Sequence, residues 1–190
     1  MKANPARRGG WGLWYNVALG LVRNSGNKIL LVRRGGAEYS GFWGLPGGKF
    51  TFSESGREAI VRELEEETGL TRTDCSPPMF IGLGLERLEE YDKGKFRLKA
   101  RWQLYYFSLR VLGTKGVTPN CRWFSDDELV SKSSVVIPSV IRAVQIDRDR
   151  GAGRLDFFFM EDTIRSKDHR LVLTDLRVDT FSRQTAVEGP

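Results

Sequence analysis

Acidic residues are concentrated near the end of a predicted helix, where the helix itself is already negative. The segment RELEEETGL, residues 62–70, contains four glutamates. A carboxylate at a helix C-terminus is destabilised by the macrodipole by roughly 0.3–1 kcal/mol. At about 100° per residue, Glu63, Glu66 and Glu67 fall on one side of the helix, whereas Glu65 points away from them. The clustering of three carboxylates on that side therefore needs an explanation.

A divalent cation is one counter-charge that would remove both the mutual repulsion and the cost from the helix dipole. Clustered carboxylate oxygens are hard ligands, which suit Mg²⁺ or Mn²⁺ rather than a soft metal. The alternative is a solvated acidic face in which Arg62 makes local ion pairs. An adjoining apolar stripe of Ile60, Val61 and Leu64 can hold the helix against a sheet in either case. The nine residues alone leave both interpretations open.

The longer segment GKFTFSESGREAIVRELEEETGL, residues 48–70, resembles the Nudix box. The family pattern is a glycine, five residues, a glutamate, seven residues and then R-E-U-x-E-E-x-G-U, in which U is a bulky aliphatic residue. All of its fixed positions are met, by Gly48, Glu54, Arg62, Glu63, Leu64, Glu66, Glu67, Gly69 and Leu70. The flanking segments GFWGLPGG and RWFSDDEL also resemble segments common around this box. The resemblance covers roughly residues 14–150.

This resemblance implies an α/β fold of the Nudix type, an α/β/α sandwich on a mixed β-sheet, to which the sequence adds a C-terminal β extension. It also implies metal-dependent attack of water on a diphosphate that links a nucleoside to another moiety. The cofactor would be Mg²⁺, with Mn²⁺ as an alternative. The implied metal ligands are Glu63, Glu66, Glu67 and the backbone carbonyl of Gly47. Arg62 would orient the carboxylates, and Glu54 would tie the preceding loop to the helix.

The reaction also needs a carboxylate that takes the proton from the attacking water. Glu63 is the candidate within the box. Members of this family often recruit the base from a loop elsewhere, and Asp126, Asp127 and Glu128 are acidic candidates of that kind. The same three residues could instead begin a helix, so the sequence leaves the base open.

Arginines and aromatic residues near the glycine-rich loop are candidates for substrate binding. Arg33 and Arg34 end a predicted strand, where a guanidinium could hold phosphate oxygens bidentately. Trp43, beside Phe42, could stack on a base, although aromatic residues beside a glycine loop more often pack under it. We therefore take Arg33, Arg34 and Trp43 as candidate substrate-binding residues.

Composition restricts the partners. The chain of 190 residues has a formal net charge of +6, which favours an anionic ligand such as a nucleotide. A row of basic residues on one predicted strand, here called the basic ladder, could follow an RNA backbone. It could instead pair with acidic residues across a hairpin, and for this reason we do not expect nucleic acid as a partner. The ladder is Lys95, Arg97, Lys99 and Arg101, and the proposed acidic partners are Glu86, Glu89 and Glu90. Two further readings stay open: a non-catalytic nucleotide-binding module and an RNA-directed Nudix hydrolase.

Cysteine and histidine usage indicates a cytoplasmic setting. Two cysteines and one histidine exclude a Cys/His zinc cluster and disfavour a disulfide scaffold. No apolar run reaches the roughly 18 residues of a membrane span. We therefore expect a protein of a reducing compartment with no membrane partner.

The chain divides into a basic flexible tail over residues 1–12, a catalytic domain over 13–150 and an extension over 151–190. Two apolar segments in the extension predict a strand pair followed by a polar tail. An isolated hairpin is marginal in water, so these strands need a surface to cover. They could extend the sheet of this subunit or form a homodimer interface. The other predicted elements are strands over 14–22, 28–34, 79–91, 95–111 and 121–124 and helices over 53–68 and 138–149.

Overall fold

The computed structural model describes residues 15–36, 38–50, 53–151 and 156–182, so the predicted N-terminal tail and the last residues lie outside it. In chain order the elements are β1 (Tyr15–Arg23), β2 (Ile29–Arg33), β3 (Trp43–Gly44), β4 (Gly47–Lys49), α1 (Gly56–Thr68), β5 (Met79–Asp92), β6 (Lys95–Arg110), β7 (Cys121–Phe124), α2 (Asp126–Ser131), α3 (Pro138–Gly151), β8 (Phe157–Lys167) and β9 (Arg170–Phe181). Short 3₁₀ turns follow α1 and α2, at Arg72–Asp74 and Ser133–Val135.

The strands form one sheet in the order β3-β2-β1-β6-β5-β8-β9, with β4 paired to β1 and β7 paired to β2. The pairs β1–β6 and β5–β8 are parallel, and the remaining pairs are antiparallel. The sheet is therefore mixed, as predicted.

Helices cover both faces of this sheet. The cluster on the α1 face contains Ala18, Val22, Leu30, Ile60, Leu64, Phe107 and Leu109. The cluster on the α3 face contains Val17, Leu21, Leu104, Tyr106, Ala143, Val144, Phe158 and Met160. Strands β1 and β6 therefore bury alternate side chains on opposite faces of the sheet against different helices, and the α/β/α sandwich is confirmed.

Helix α1 is closed by side-chain and backbone caps at its two ends. The Ser55 hydroxyl accepts a hydrogen bond from the backbone N–H of Glu58, whose carboxylate accepts from the Ser55 N–H. Ser55 is therefore the N-cap of the helix, in a capping box with Glu58. Gly69 ends the helix with a left-handed φ of 76°. No helix in the described ranges is long and apolar enough to cross a membrane.

The glycine-rich loop before α1 contains two short strands that the sequence did not predict. Strands of two or three residues are too short to show a hydrophobic period, so β3 and β4 cannot be predicted from the sequence pattern. Strand β4 runs antiparallel to β1, with Gly47 opposite Leu19 and Gly48 opposite Ala18. This pairing fixes the backbone of Gly47 and Gly48 beside α1.

The predicted β5–β6 hairpin forms, and its far end projects beyond the core. Lys93 and Gly94 make the two-residue turn, with φ values of 47° and 84°. Phe96 and Leu98, near this end of the strand, are 37% and 44% exposed.

The expected charge pairing across this hairpin is only partly correct. Lys99 pairs with Glu90 at 2.8 Å, as expected. Glu89 instead pairs with Arg165 of β8 at 2.9 Å. Glu86 faces the α3 side of the sheet and is 4% exposed, so it is a buried acid rather than a partner of the ladder.

The C-terminal hairpin adds two strands to the same sheet. Strands β8 and β9 are longer than predicted and meet at Asp168 and His169, which both have positive φ. Because β8 pairs in parallel with β5, its buried side chains Phe158, Met160 and Ile164 enter the core on the α3 face. The hairpin extends the sheet of its own subunit, and the homodimer stays a prediction.

The packing of Phe158 predicts that the C-terminal hairpin unfolds together with the rest of the domain. Phe158 is fully buried, and its ring lies 5.0 Å from that of Tyr106. F158A should lower the free energy of unfolding of the whole protein by about 3–5 kcal/mol through the cavity it leaves. Urea unfolding followed by tryptophan fluorescence measures this change.

The matched control is V172A, in the same hairpin, because Val172 is 57% exposed and should change stability little. If F158A produced a separate early transition and left the main one unshifted, the hairpin would be an independent unit.

Candidate active site

Two consecutive glycines let strand β4 approach helix α1. A Cβ on Gly48 would overlap the carboxylate of Glu63, so only a glycine leaves room for that side chain. Gly47 has a φ of 143°, and a Cβ there would run into the backbone carbonyl of Ala18. The missing side chains therefore create the space in which the Glu63 carboxylate lies.

Arg62 joins the loop before α1 to the acidic face of the helix. Its guanidinium binds Glu54 bidentately, with Nε–Oε2 at 3.0 Å and Nη2–Oε1 at 2.8 Å. Its Nη1 donates to Glu63 at 2.7 Å and to Glu66 at 3.2 Å. The hydrogen bonds to Glu54 and then to Glu63 raise the pKa of Arg62 further above its ordinary value. The arginine thus holds two of the three clustered carboxylates in place.

The third carboxylate, Glu67, reaches the loop from the other side. It accepts a hydrogen bond from the backbone N–H of Gly47 at 2.9 Å and lies 3.5 Å from Nη1 of Arg34. Burial raises the pKa of Glu67, while the Gly47 N–H and Arg34 act in the opposite direction and the charges of Glu63 and Glu66 add to the rise. The three glutamates are therefore close enough to affect one another.

Of the two arginines expected at the substrate, the structure brings one to the glutamates. Arg34 Nη1 donates to the carbonyl of Gly47 at 3.3 Å, beside its contact with Glu67. Arg33 is exposed, and its backbone N–H bonds to Asn120. The last residue of β2 thus faces solvent, and the first residue after the strand turns towards α1.

The donor set of this site fits a hard divalent cation. Three carboxylates and the Gly47 carbonyl are oxygen donors, and the negative charge is only partly matched by Arg62 and Arg34. Within the described ranges, no three acidic, cysteine or histidine side chains already converge in a cage for a metal. The carboxylates instead face the two arginines, and binding of a cation would require them to rotate from those partners.

Other acidic residues that the sequence considered lie in different surroundings. Glu65 is exposed on the far side of α1, as its position in the helical period predicts. Asp126 pairs with Arg148 at 3.6 Å, and Glu128 caps α2 through Ser125. These residues begin α2, which was the alternative reading of that segment. The identity of the general base stays a prediction, with Glu63 as the candidate within the box.

A cavity of about 150 Å³ lies between the sheet and the start of α3, next to the glutamates. Gly48, Lys49 and Arg34 line the end nearest to α1. Its walls are mostly apolar or aromatic and are made by Val17, Leu19, Tyr39, Leu45, Trp102, Leu104, Tyr106, Ile137 and Val140. The cavity is smaller than the roughly 300–1,000 Å³ of a site for a drug-sized molecule, so it suits one part of a ligand.

The aromatic residues of this cavity differ from the one expected. Trp43 packs edge-on against Phe124 with ring centroids 5.2 Å apart, and its backbone carbonyl accepts from Ile137, so it belongs to the core beneath the loop. The aromatic residues that line the cavity, instead of Trp43, are Tyr39, Trp102 and Tyr106. Trp102 and Tyr106 alternate with the opposite face of β6, but the period of a strand does not show where along a face a cavity opens.

Comparisons with known proteins agree with this geometry. A sequence model of the NUDIX domain matches residues 14–142. The 8-oxo-dGTP diphosphatase of Escherichia coli K12 is 35% identical over 88 residues, which are 46% of this chain and 67% of that protein. The ADP-ribose pyrophosphatase of Methanocaldococcus jannaschii is 44% identical over 54 residues, which are 28% of this chain and 32% of that protein.

Solved structures show the same fold at lower identity. The MutT protein from Bacillus halodurans superposes with a TM-score of 0.54 at 23% identity, covering 87% of this chain and 97% of that one. A Nudix hydrolase from M. smegmatis gives a TM-score of 0.53 at 19% identity, covering 75% of this chain and 88% of that one. With the domain match spanning most of the sandwich, the chain belongs to the Nudix hydrolase family.

Proposed function

We propose that the protein is a metal-dependent pyrophosphohydrolase that cleaves the diphosphate of a nucleoside derivative, either a nucleoside triphosphate or an ADP-ribose-like compound. The relatives named as 8-oxo-dGTP diphosphatase and ADP-ribose pyrophosphatase support a nucleotide substrate. The observation that carries the proposal is the meeting of Glu63, Glu66 and Glu67 with Arg62 around the Gly47–Gly48 backbone.

The residues of this site would have three different roles: binding the metal, orienting its ligands and binding the phosphate. Glu63, Glu66, Glu67 and the Gly47 carbonyl would hold Mg²⁺ or Mn²⁺, which when bound neutralises the diphosphate oxygens and makes water a better nucleophile. Arg62 keeps the carboxylates oriented through Glu54. Arg34 lies at the mouth of the cavity, where a guanidinium can bind a phosphate oxygen.

In the reaction, the oxygen of water forms a bond to one phosphorus while the bond between that phosphorus and the bridging oxygen breaks. The electron pair of the broken bond leaves with the departing phosphate. Glu63 is the candidate that accepts the proton of the attacking water, since it lies in the space left by Gly48 and is held by Arg62.

A non-catalytic module is disfavoured because the carboxylates and the arginine of the box are all present and in contact. An RNA-directed activity is also disfavoured, because part of the basic ladder is engaged: Lys99 binds Glu90, and Arg97 lies 3.6 Å from Asp92.

The metal requirement tests the proposed function directly. Purified protein should release phosphate or pyrophosphate from a panel of nucleoside triphosphates and dinucleotide-type diphosphates when Mg²⁺ or Mn²⁺ is present. EDTA should stop the release, and an excess of Mg²⁺ should restore it. Full activity in EDTA would contradict the metal role, and failure with every compound and both cations would favour the non-catalytic reading.

Two matched glutamate substitutions test the acidic face of α1. Glu67→Gln removes a charge that would face the cation, and should lower kcat at least about 100-fold, since even residues that only support metal ligands cost 10–100-fold when changed. Glu65→Gln removes the same charge from the exposed side of the same helix and should leave kcat near the wild-type value. Equal losses for both variants would contradict the assignment.

The contact between Gly48 and Glu63 predicts a loss of turnover without loss of fold. Gly48→Ala places a methyl group where the Glu63 carboxylate lies, so this side chain must move and kcat should fall by at least about tenfold, as expected for a misplaced catalytic group. Gly113→Ala is the control, because nothing lies within 4 Å of the added methyl group. Circular dichroism should show both variants folded, and unchanged kcat in Gly48→Ala would contradict the role of this contact.

A further inference from the structure

The cavity beside the glutamates has a polar end formed by Glu86, Tyr39 and Ser139. Glu86 Oε1 accepts from the Tyr39 hydroxyl at 2.7 Å, and Oε2 accepts from the Ser139 hydroxyl at 2.5 Å. Glu86 is 4% exposed yet lines the cavity. A carboxylate offers about four acceptor sites, so each oxygen retains one lone pair after these two bonds. The end of the cavity therefore presents two adjacent acceptors.

A second buried acid lies beside Glu86. Asp162 of β8 is directly opposite Glu86 of β5 in the parallel register and is also 4% exposed. Neither carboxylate oxygen of Asp162 has a hydrogen-bond partner among the described residues. Two adjacent buried carboxylates cannot both ionise cheaply, so one of them must hold a proton.

The hydrogen bonds around the two acids favour Asp162 as the member that holds the proton. Burial, with the charge of Glu86 adding to it, raises the pKa of Asp162 to about 9. Burial raises the pKa of Glu86 as well, but the hydrogen bonds donated by Ser139 and Tyr39 favour its ionised form. Among the described residues Asp162 receives no such bonds, whereas Glu86 accepts two, so Glu86 is the member of the pair that is set up as an acceptor.

The shape and chemistry of this cavity match a planar heterocycle with two neighbouring N–H donors. Apolar and aromatic walls suit the faces of a flat ring. Guanine presents its N1–H next to its 2-amino group. Adenine instead presents the acceptor N1 beside its amino group, and thymine presents one N–H between two carbonyls. An acceptor pair therefore selects the guanine edge.

We propose that Glu86 is the specificity-determining residue of the pocket and that it selects a base with adjacent N–H donors, such as a guanine. This inference rests on the proposed function, since the base enters the cavity when the diphosphate lies at the α1 glutamates. It also gives a role to the C-terminal hairpin, which lies outside the matched family domain and supplies Asp162.

The test compares dGTP with dITP, which lacks only the 2-amino group. The wild-type protein with Mg²⁺ should show a kcat/KM for dGTP that exceeds that for dITP roughly 10- to 100-fold, because a hydrogen bond to a charged group is lost. Glu86→Gln places an amide N–H₂ against the amino group and should reduce the ratio to within about threefold. Glu89→Gln, on the same strand but paired with Arg165, should keep the wild-type ratio.

Asp162→Asn keeps the neutral state and the shape of the protonated acid, so it should also retain the preference for dGTP. If Glu86→Gln lowered kcat/KM for both nucleotides equally, Glu86 would have only a structural role and the proposal would be overturned. An equal kcat/KM of the wild-type protein for dGTP and dITP would overturn it as well.

Calorimetric binding of dGMP and dIMP without divalent cations separates this inference from the proposed hydrolysis. A protein that binds dGMP more tightly than dIMP, and loses this difference in Glu86→Gln, supports the base-reading site even if neither triphosphate is cleaved. Cleavage of both triphosphates together with equal binding of dGMP and dIMP would support the hydrolase and overturn the role of Glu86.

Discussion

Repulsion among Glu63, Glu66 and Glu67 is the constraint on which the rest of the site depends. Three carboxylates within one turn near the negative end of a helix destabilise each other and the helix. The fold answers with two arginines from different directions: Arg62 from the same helix and Arg34 from the end of β2. The glycines of β4 let backbone, rather than a side chain, approach the cluster. The two arginines and the two glycines together hold the three carboxylates at one edge of the sandwich, where a ligand can reach them.

The sheet determines how that edge meets the cavity. Because β4 pairs with β1, its two glycines lie between α1 on one face and the cavity on the other. Gly48 consequently contacts Glu63 and also lines the cavity. A phosphate chain at the glutamates and a base in the cavity would therefore belong to one ligand, which crosses the edge of the sheet at this strand.

Sequence patterns predicted the parts of the site that lie on one regular element. The helical period separated Glu63, Glu66 and Glu67 from Glu65, since all four residues share one helix. The same reasoning did not distinguish Arg34 from Arg33, because the direction of a side chain just past a strand depends on the following loop.

Glu86 shows the other limit of pattern reading. It was expected to pair with the basic ladder of the hairpin, but β5 runs from the covered centre of the sheet to an uncovered end, and a register shift separates Leu88 from Glu89. Acidic residues a few positions apart on this strand therefore have opposite surroundings: Glu90 is exposed, whereas Glu86 is buried under α3 and the loop that carries Tyr39. The order of the strands in the sheet determines which of these acids is buried, and this order cannot be predicted from a local sequence pattern.

The burial of Asp162 has a thermodynamic cost that supports a role for the acidic pair. An unfolded aspartate ionises near pH 3.9, whereas Asp162 in the folded protein has a pKa of about 9. Folding therefore takes up a proton between these values, and the stability contributed by this residue falls as the pH rises from the lower value to the higher. A well-packed apolar residue at the same place would avoid this cost. The chain instead places an acid that has no hydrogen-bond partner among the described residues next to Glu86, the member of the pair that lines the cavity.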